Sequence, residues 1–494
     1  MQRLFAIALG VVSGFAAYAI GWGLTSSRLT ALAIAVLSIV LVTMWSLKRP
    51  VIALQSDAVP KSFKWVLGIA ALIAIVQLGR LTVFMTDPTQ VGYSTIPSSS
   101  FELHHSCLSS YYCAVEAVDE HPNIYDQSLY ATAPQVPGQP RQARMLNIFK
   151  IDQFEYPPTF LLLPRVLHAL APSFLEHRAL WFGLNLLVII GAMLLAVRFL
   201  DGAASTRAVL FLPLIFVALP TLSMLQKGNI QGMVIALAVI SMLCFERKKN
   251  ALGGALLAYT IVSKLYPGLF VVYLLVRKQW SALAWTAAMG LVYLLVSLAD
   301  VGIAPYVAFM KHLPGLMGGE AFPALKTPGP MSINLSIPGL IFKLKLFGVP
   351  GMGFAAAKVV GWIYTAIALW MTVLLARRAR SDQDKVMVFL AVMILATLRS
   401  PFLPIAYGVF PALWLLTILA APTNATVKSL VGTLAVWLSL AVFAPLDWLP
   451  PHVLAVLTLL PQSMMIALTF VVLGRLKPAI GLSDDTRGLQ PSVA

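Results

Sequence analysis

Three cations sit where backbone N–H groups come free. Lys227 lies in QKGNIQG (226–232), Lys264 in KLYPG (264–268) and Arg399 in LRSP (398–401). Gly or Pro interrupts each segment, and a broken helix leaves donors without intrahelical partners. A cation beside such donors suits a phosphate. A single residue of this kind would read as a side chain snorkelling to lipid headgroups; three in similar settings point to a lipid-phosphate site. The complementary chemistry is concentrated between residues 86 and 157. That segment holds eight acids, Asp87, Glu102, Glu116, Asp119, Glu120, Asp126, Asp152 and Glu155, together with His104, His105 and His121. A carboxylate or imidazole can take the proton of a weakly nucleophilic hydroxyl. Most of these acids are expected to form a solvated face.

The elements that must position these groups follow from composition. Of 494 residues, 59% are apolar and 11% charged, and the mean hydropathy is +0.85. A soluble domain carries about 25% charged residues, so a cytosolic enzyme is excluded, as is a disordered chain. The apolar runs are continuous rather than alternating, which argues against a transmembrane barrel. The expectation is an all-α polytopic membrane protein of roughly 12–14 transmembrane helices. Basic clusters at Lys48-Arg49, Lys61 with Lys64, Arg247-Lys248-Lys249, Arg277-Lys278, Arg377-Arg378-Arg380 and Arg475-Lys477 fall on one side of that bundle. By the positive-inside rule this side, with both termini, is cytoplasmic. The net charge of +16 is then mostly a topology signal, and nucleic acid is not expected as a partner.

Two long segments, 86–157 and 301–351, fall on the opposite side. The Pro-bounded stretch Pro158–Leu170, which carries Arg165, is short enough to read as re-entrant or interfacial. CLSSYYCAVEAV (107–118) reads as an amphipathic helix lying on the bilayer, with Leu108, Tyr112 and Val115 along one stripe. Cys107 and Cys113 could pair if this loop faces an oxidising compartment. No clustered ligand set stands near the cations, so neither metal nor cofactor is expected. Two helices over 1–50, a central membrane domain over 51–421, further helices over 422–478 and a cytoplasmic tail over 479–494 complete the expected organisation.

Five segments occur in order: FEYPPTFLLLPRVL (154–167), QKGNIQGMVIALAVIS (226–241), KLYPGLFVVYLL (264–275), SINLSIPGLI (332–341) and LRSPFLPIAYGVFP (398–411). Together they resemble the successive motifs of glycosyltransferase family 87, polyprenyl-phosphate-dependent mannosyltransferase-like proteins of the GT-C superfamily. YYCAVEAVDEHPNIYD (111–126) also resembles that family's first-loop pattern. The resemblance implies a bundle of irregular membrane helices and a sugar donor on a polyprenyl monophosphate at the outer face of the plasma membrane. An acid in the first loop would deprotonate an acceptor hydroxyl, and the lipid phosphate would leave with inversion at the anomeric carbon. Mannose is favoured; the acceptor is a glycolipid, a glycan or a protein.

Residue roles follow from the same resemblance. Family members carry an Asp shortly before the first-loop helix, and here FELHHSC (101–107) has none. Asp87 and Glu102 are the expected proton acceptors, with His104 and His105 behind them. Lys227, Lys264, Arg399 and Arg165 are expected at the donor phosphate, and Asn229, Gln231 and Asn334 at sugar hydroxyls. A transporter or flippase of a lipid-linked glycan and a non-catalytic membrane scaffold are the alternatives. A transporter would bury acids in mid-span and repeat its halves; the sequence has almost no acids in mid-span and no repeat, and its acids crowd one outside loop.

Overall fold

The computed structural model describes residues 1–55, 57–421, 426–441 and 448–476. The expected tail over 479–494 lies outside the described residues.

Among the described residues, seven helices are long and apolar enough to cross a membrane: Gln2–Thr25, Arg28–Lys48, Lys61–Thr86, Phe174–Val197, Trp280–Val301, Phe354–Arg378 and Pro451–Arg475. A further apolar pair, Gly202–Val217 and Leu219–Gln226, is bent by 64° where Pro220 opens the second helix, the form of a broken span or a re-entrant loop. The chain is thus an all-α polytopic membrane protein, with fewer long spans than the expected 12–14. The remaining apolar runs form helices of 10–17 residues. At 1.5 Å per residue these are mostly too short for a hydrocarbon core of about 30 Å. Gly and Pro break them at the positions that carry the polar residues.

Close approach builds the amino-terminal hairpin. Gln2–Thr25 packs on Arg28–Lys48, and a methyl group at Gly10 or Gly14 would collide with Thr43 or Ile39 across the interface. Small residues at that spacing let helix backbones approach within a bilayer. Ser27 caps the second helix by accepting from the Thr30 N–H. The centre of the bundle is apolar all round: every residue from Val386 to Leu398, and every residue of Phe410–Ala420, is buried. The rim is the reverse. Arg28–Lys48 and Trp280–Val301 leave most of their apolar surface uncovered by protein, a surface suited to lipid chains.

The long segment after Lys61–Thr86 folds over one end of the bundle. Arg178, buried in Phe174–Val197, donates to the carbonyls of Phe84 at 2.6 Å and Met85 at 3.0 Å. These carbonyls end the preceding helix and have no intrahelical partner. Downstream, His105–Ser106 pairs in parallel with Phe149–Ile151, which pairs antiparallel with Met145–Leu146. The register sets His105 opposite Lys150 and Ser106 opposite Ile151.

The helix expected over 107–118 forms as Leu108–Ala117, but it does not lie with one stripe on a bilayer. Tyr111, Tyr112 and Ala114 are buried together with Leu108 and Val115, because Phe174–Val197 and the small sheet enclose it. Cys107 and Cys113 are free thiols. Six residues apart on one helical path, they point about 120° apart, too divergent to bridge. Pro158–Leu170 is a short apolar helix rather than a span.

Candidate active site

The five motif segments, scattered through 250 residues of sequence, converge on one cavity of about 500 Å³. Glu155, Tyr156 and Pro157 come from the first segment, Lys227, Asn229 and Gln231 from the second, and Lys264 and Tyr266 from the third. Ile333 and the run from Arg399 to Leu403 close it. The first loop adds Glu102, His105, Cys107 and Asp152. The opposite wall is apolar, with Phe309, Leu313, Leu316 and Met317 from Ala304–Gly318 and Trp362 from Phe354–Arg378.

Each cation sits at a helix break. Lys264 follows Asn250–Ser263, where Pro267 prevents simple continuation. Its Nζ donates to Gln231 Oε1 at 3.1 Å and lies 5.4 Å from the Tyr156 ring. The Gln231 Nε2 is buried, with no hydrogen-bond partner among the described residues, and so offers a donor to a ligand in the cavity. Arg399 follows Asp382–Leu398; its Nε donates to Thr365 Oγ1 at 2.5 Å and its guanidinium lies 5.6 Å from the Trp362 ring. Lys227 differs. Its Nζ binds Glu102 Oε1 at 2.6 Å and both side chains are 1% exposed. Ser223 donates to the other Glu102 oxygen at 2.6 Å, and Gln226 donates to the Glu102 carbonyl at 2.7 Å. This pair fastens the first loop to the bundle, and a carboxylate so fully engaged has little capacity for a substrate proton.

Other expected site residues lie elsewhere. Asp87 does not line the cavity. It ends Lys61–Thr86, pairs with Arg28 at 3.1 Å and accepts from Thr89. His104 is turned away, its Nδ1 2.7 Å from the Ile148 carbonyl. Arg165 is bound to Asp119 at 3.0 Å and Asp300 at 2.9 Å, so it joins loop to span instead of facing the cavity. Asn334 is fully buried: it donates to the Pro401 carbonyl and accepts from the Ser336 and Leu403 N–H groups. It pins two motif segments together and does not line the cavity. Asn229 does line the cavity, but its Oδ1 accepts from Gln231 N–H and its Nδ2 donates to the Cys107 thiol at 3.3 Å.

Besides Glu102, which is taken up by Lys227, the cavity is lined by the carboxylates of Asp152 and Glu155. Parallel pairing of His105–Ser106 with Phe149–Ile151 carries Asp152 to where the sequence lacks its acid: Asp152 Oδ2 is 3.8 Å from His105 Nε2. Burial first, and the neighbouring Asp152 second, hold the Glu155 carboxyl well above the usual carboxylate range, opposed by Arg141 and Lys264. Burial holds the His105 imidazole below its ordinary value, with Asp152 pulling the other way. Contrary to the expectation of no clustered ligand set, His105, Cys107 and Asp152 place their donor atoms within 4.8 Å of one another. A sheet pairing between residues 105 and 150 has no local sequence signal. Glu155 did have one, its place immediately before Tyr156-Pro157-Pro158.

The turn after Lys227 depends on a glycine. Gly228 has φ +65° and its carbonyl accepts from the Trp181 indole at 2.9 Å. An added Cβ would lie 2.9 Å from Leu108 Cβ. Gly228→Ala should therefore destabilise the chain by about 1–3 kcal/mol, read as a lower thermal unfolding midpoint in detergent. An unchanged midpoint would show that the turn tolerates a side chain.

The chain is thus a polytopic helical membrane protein with cations and carboxyls gathered on one cavity. The sequence profile of glycosyltransferase family 87 matches residues 154–401, half of the chain, and the chain belongs to that family. It is a membrane glycosyltransferase. No curated protein and no solved structure matches the chain.

Proposed function

We propose that the chain transfers a sugar, mannose by preference, from a polyprenyl monophosphate to an acceptor hydroxyl on the extracytoplasmic side of the plasma membrane. The observation that carries this reading is the shared cavity: Glu155, Lys264 and Arg399 line it, and an apolar wall faces them. The acceptor oxygen attacks the anomeric carbon as its proton passes to Glu155. The bond from that carbon to the phosphate oxygen breaks, and the configuration inverts. Charge builds on the departing phosphate, where Lys264 and Arg399 stabilise it. The apolar wall between Ala304–Gly318 and Phe354–Arg378 accommodates the first units of the polyprenyl chain. Glu155 suits the proton transfer because a carboxylate whose acid is held above the usual carboxylate range is, once deprotonated, a stronger base than an ordinary one. The acceptor, a glycolipid, glycan or protein, enters from the first-loop side.

Purified protein given a panel of labelled polyprenyl-phosphate sugars tests this reading. Transfer from at least one donor is expected, and transfer from none would remove it. In the same assay Lys264→Ala should lose about 10²–10³ of turnover, the usual cost of deleting one stabilising donor at a developing anion. Full activity in that variant would move the phosphate site elsewhere.

A further inference from the structure

We propose that His105, Cys107 and Asp152 form a binding site for a thiophilic divalent cation of the zinc class, with the fourth coordination position open to the cavity. His105 Nε2 lies 3.7 Å from Cys107 Sγ and 3.8 Å from Asp152 Oδ2, and all three donor atoms fall within 4.8 Å of one another. A tetrahedron with ordinary zinc–nitrogen, zinc–sulfur and zinc–oxygen bonds has edges of about 3.3–3.6 Å. The nitrogen–sulfur edge is within about 0.2 Å of that, the nitrogen–oxygen edge is about 0.5 Å long, and the sulfur–oxygen edge lies within 4.8 Å, so side-chain rotation must draw the Asp152 carboxylate inward. One imidazole, one thiol and one carboxylate form the three-ligand, open-vertex arrangement of a reactive zinc site, not the closed set of a structural one. A sulfur ligand selects against magnesium and calcium.

The support around the ligands is built. Parallel strand pairing fixes the backbone of His105 against Lys150, two residues before Asp152. Ser109 Oγ accepts from the Asp152 N–H at 3.0 Å. Asn229 donates to the Cys107 sulfur at 3.3 Å, and the Tyr407 hydroxyl lies 3.5 Å from it. Hydrogen bonds of this kind orient ligands and tune a bound metal. Without a metal the thiol keeps its proton, since burial and Asp152 push Cys107 up to about 11. Binding exchanges that proton for the cation and releases it to solvent. All three ligands line the cavity, so the open position meets an oxygen of water or of substrate. The proposal does not rest on the transfer reaction.

The full-length protein, stripped with a chelator, is titrated with Co²⁺ and then with Zn²⁺. One Co²⁺ per chain is expected, with visible bands of tetrahedral intensity and a near-ultraviolet sulfur-to-cobalt band that Zn²⁺ abolishes. Cys107→Ser should lose the sulfur band and weaken Co²⁺ binding by about tenfold or more, while Cys113→Ser keeps the band. X-ray absorption on the zinc-loaded wild type needs no variant and should give one sulfur at about 2.3 Å with lighter ligands at about 2.0–2.1 Å. No stoichiometric uptake, a sulfur band persisting in Cys107→Ser, or a zinc shell without sulfur would each overturn the proposal. A chain that transfers sugar yet takes up no metal would overturn this proposal alone.

Discussion

Glu155→Gln should abolish turnover almost completely while leaving the protein folded. The substitution keeps the size of the side chain and removes its ability to take a proton. General-base assistance contributes about 10²–10⁴ in rate, so the turnover number should fall by that factor at unchanged thermal midpoint. The pH profile supplies a second signature. A base acts when deprotonated, and Glu155 is held well above the usual carboxylate range by burial and Asp152. Activity should therefore be lost as pH falls through that raised value, giving an acid limb above the range of an exposed carboxylate. Residual activity of Glu155→Gln should lack the limb. Asp87→Asn is the contrast: Asp87 pairs with Arg28 outside the cavity, and its loss should change turnover by a few-fold at most. Full activity in Glu155→Gln would remove the assignment.

The largest stability effect is expected at Glu102 and Lys227. Both side chains are 1% exposed and 2.6 Å apart. Their pairing offsets part of a heavy desolvation cost, so the pair itself adds little net stability. Removing one partner is another matter: Glu102→Ala leaves an ammonium group buried without its counter-charge. Such a loss costs about 3–5 kcal/mol, read as a sharply lowered unfolding midpoint and poor recovery from detergent. The double variant Glu102→Gln with Lys227→Met removes both charges and should regain much of the loss. If Glu102→Gln instead kept full stability and lost all transfer, Glu102 would be the proton acceptor and the fastening role would be wrong.

The fold class was legible because a bilayer leaves few choices. A chain this apolar must satisfy its backbone internally, and continuous apolar runs do so as helices. The count of spans was not legible. A 14-residue run such as Asn250–Ser263 looks like a short span in sequence, and only packing shows that it stops at Lys264. Lys264 and Arg399, singled out because Gly and Pro mark where helices break, and Gln231, singled out by the family resemblance, all line the cavity. Lys227 carried the same mark, yet a buried carboxylate 125 residues earlier engages it. Asn334 failed similarly: its three hydrogen bonds run to its own turn and to residues near 400. The carboxylate nearest His105 belongs to Asp152, beyond residue 150, and is brought there by a strand pairing two residues long. Contacts of that kind are set by tertiary closure and leave no local pattern to read.

Binding and transfer can be separated to test whether carboxyl and cations act across one chamber. Donor affinity for a polyprenyl-phosphate sugar is measured in nanodiscs on the wild type, Glu155→Gln and Lys264→Ala, beside their transfer rates. Glu155→Gln should bind the donor as the wild type does and fail to transfer, whereas Lys264→Ala should lose both affinity and rate. Undiminished transfer by Glu155→Gln, or undiminished donor affinity in Lys264→Ala, would contradict the account.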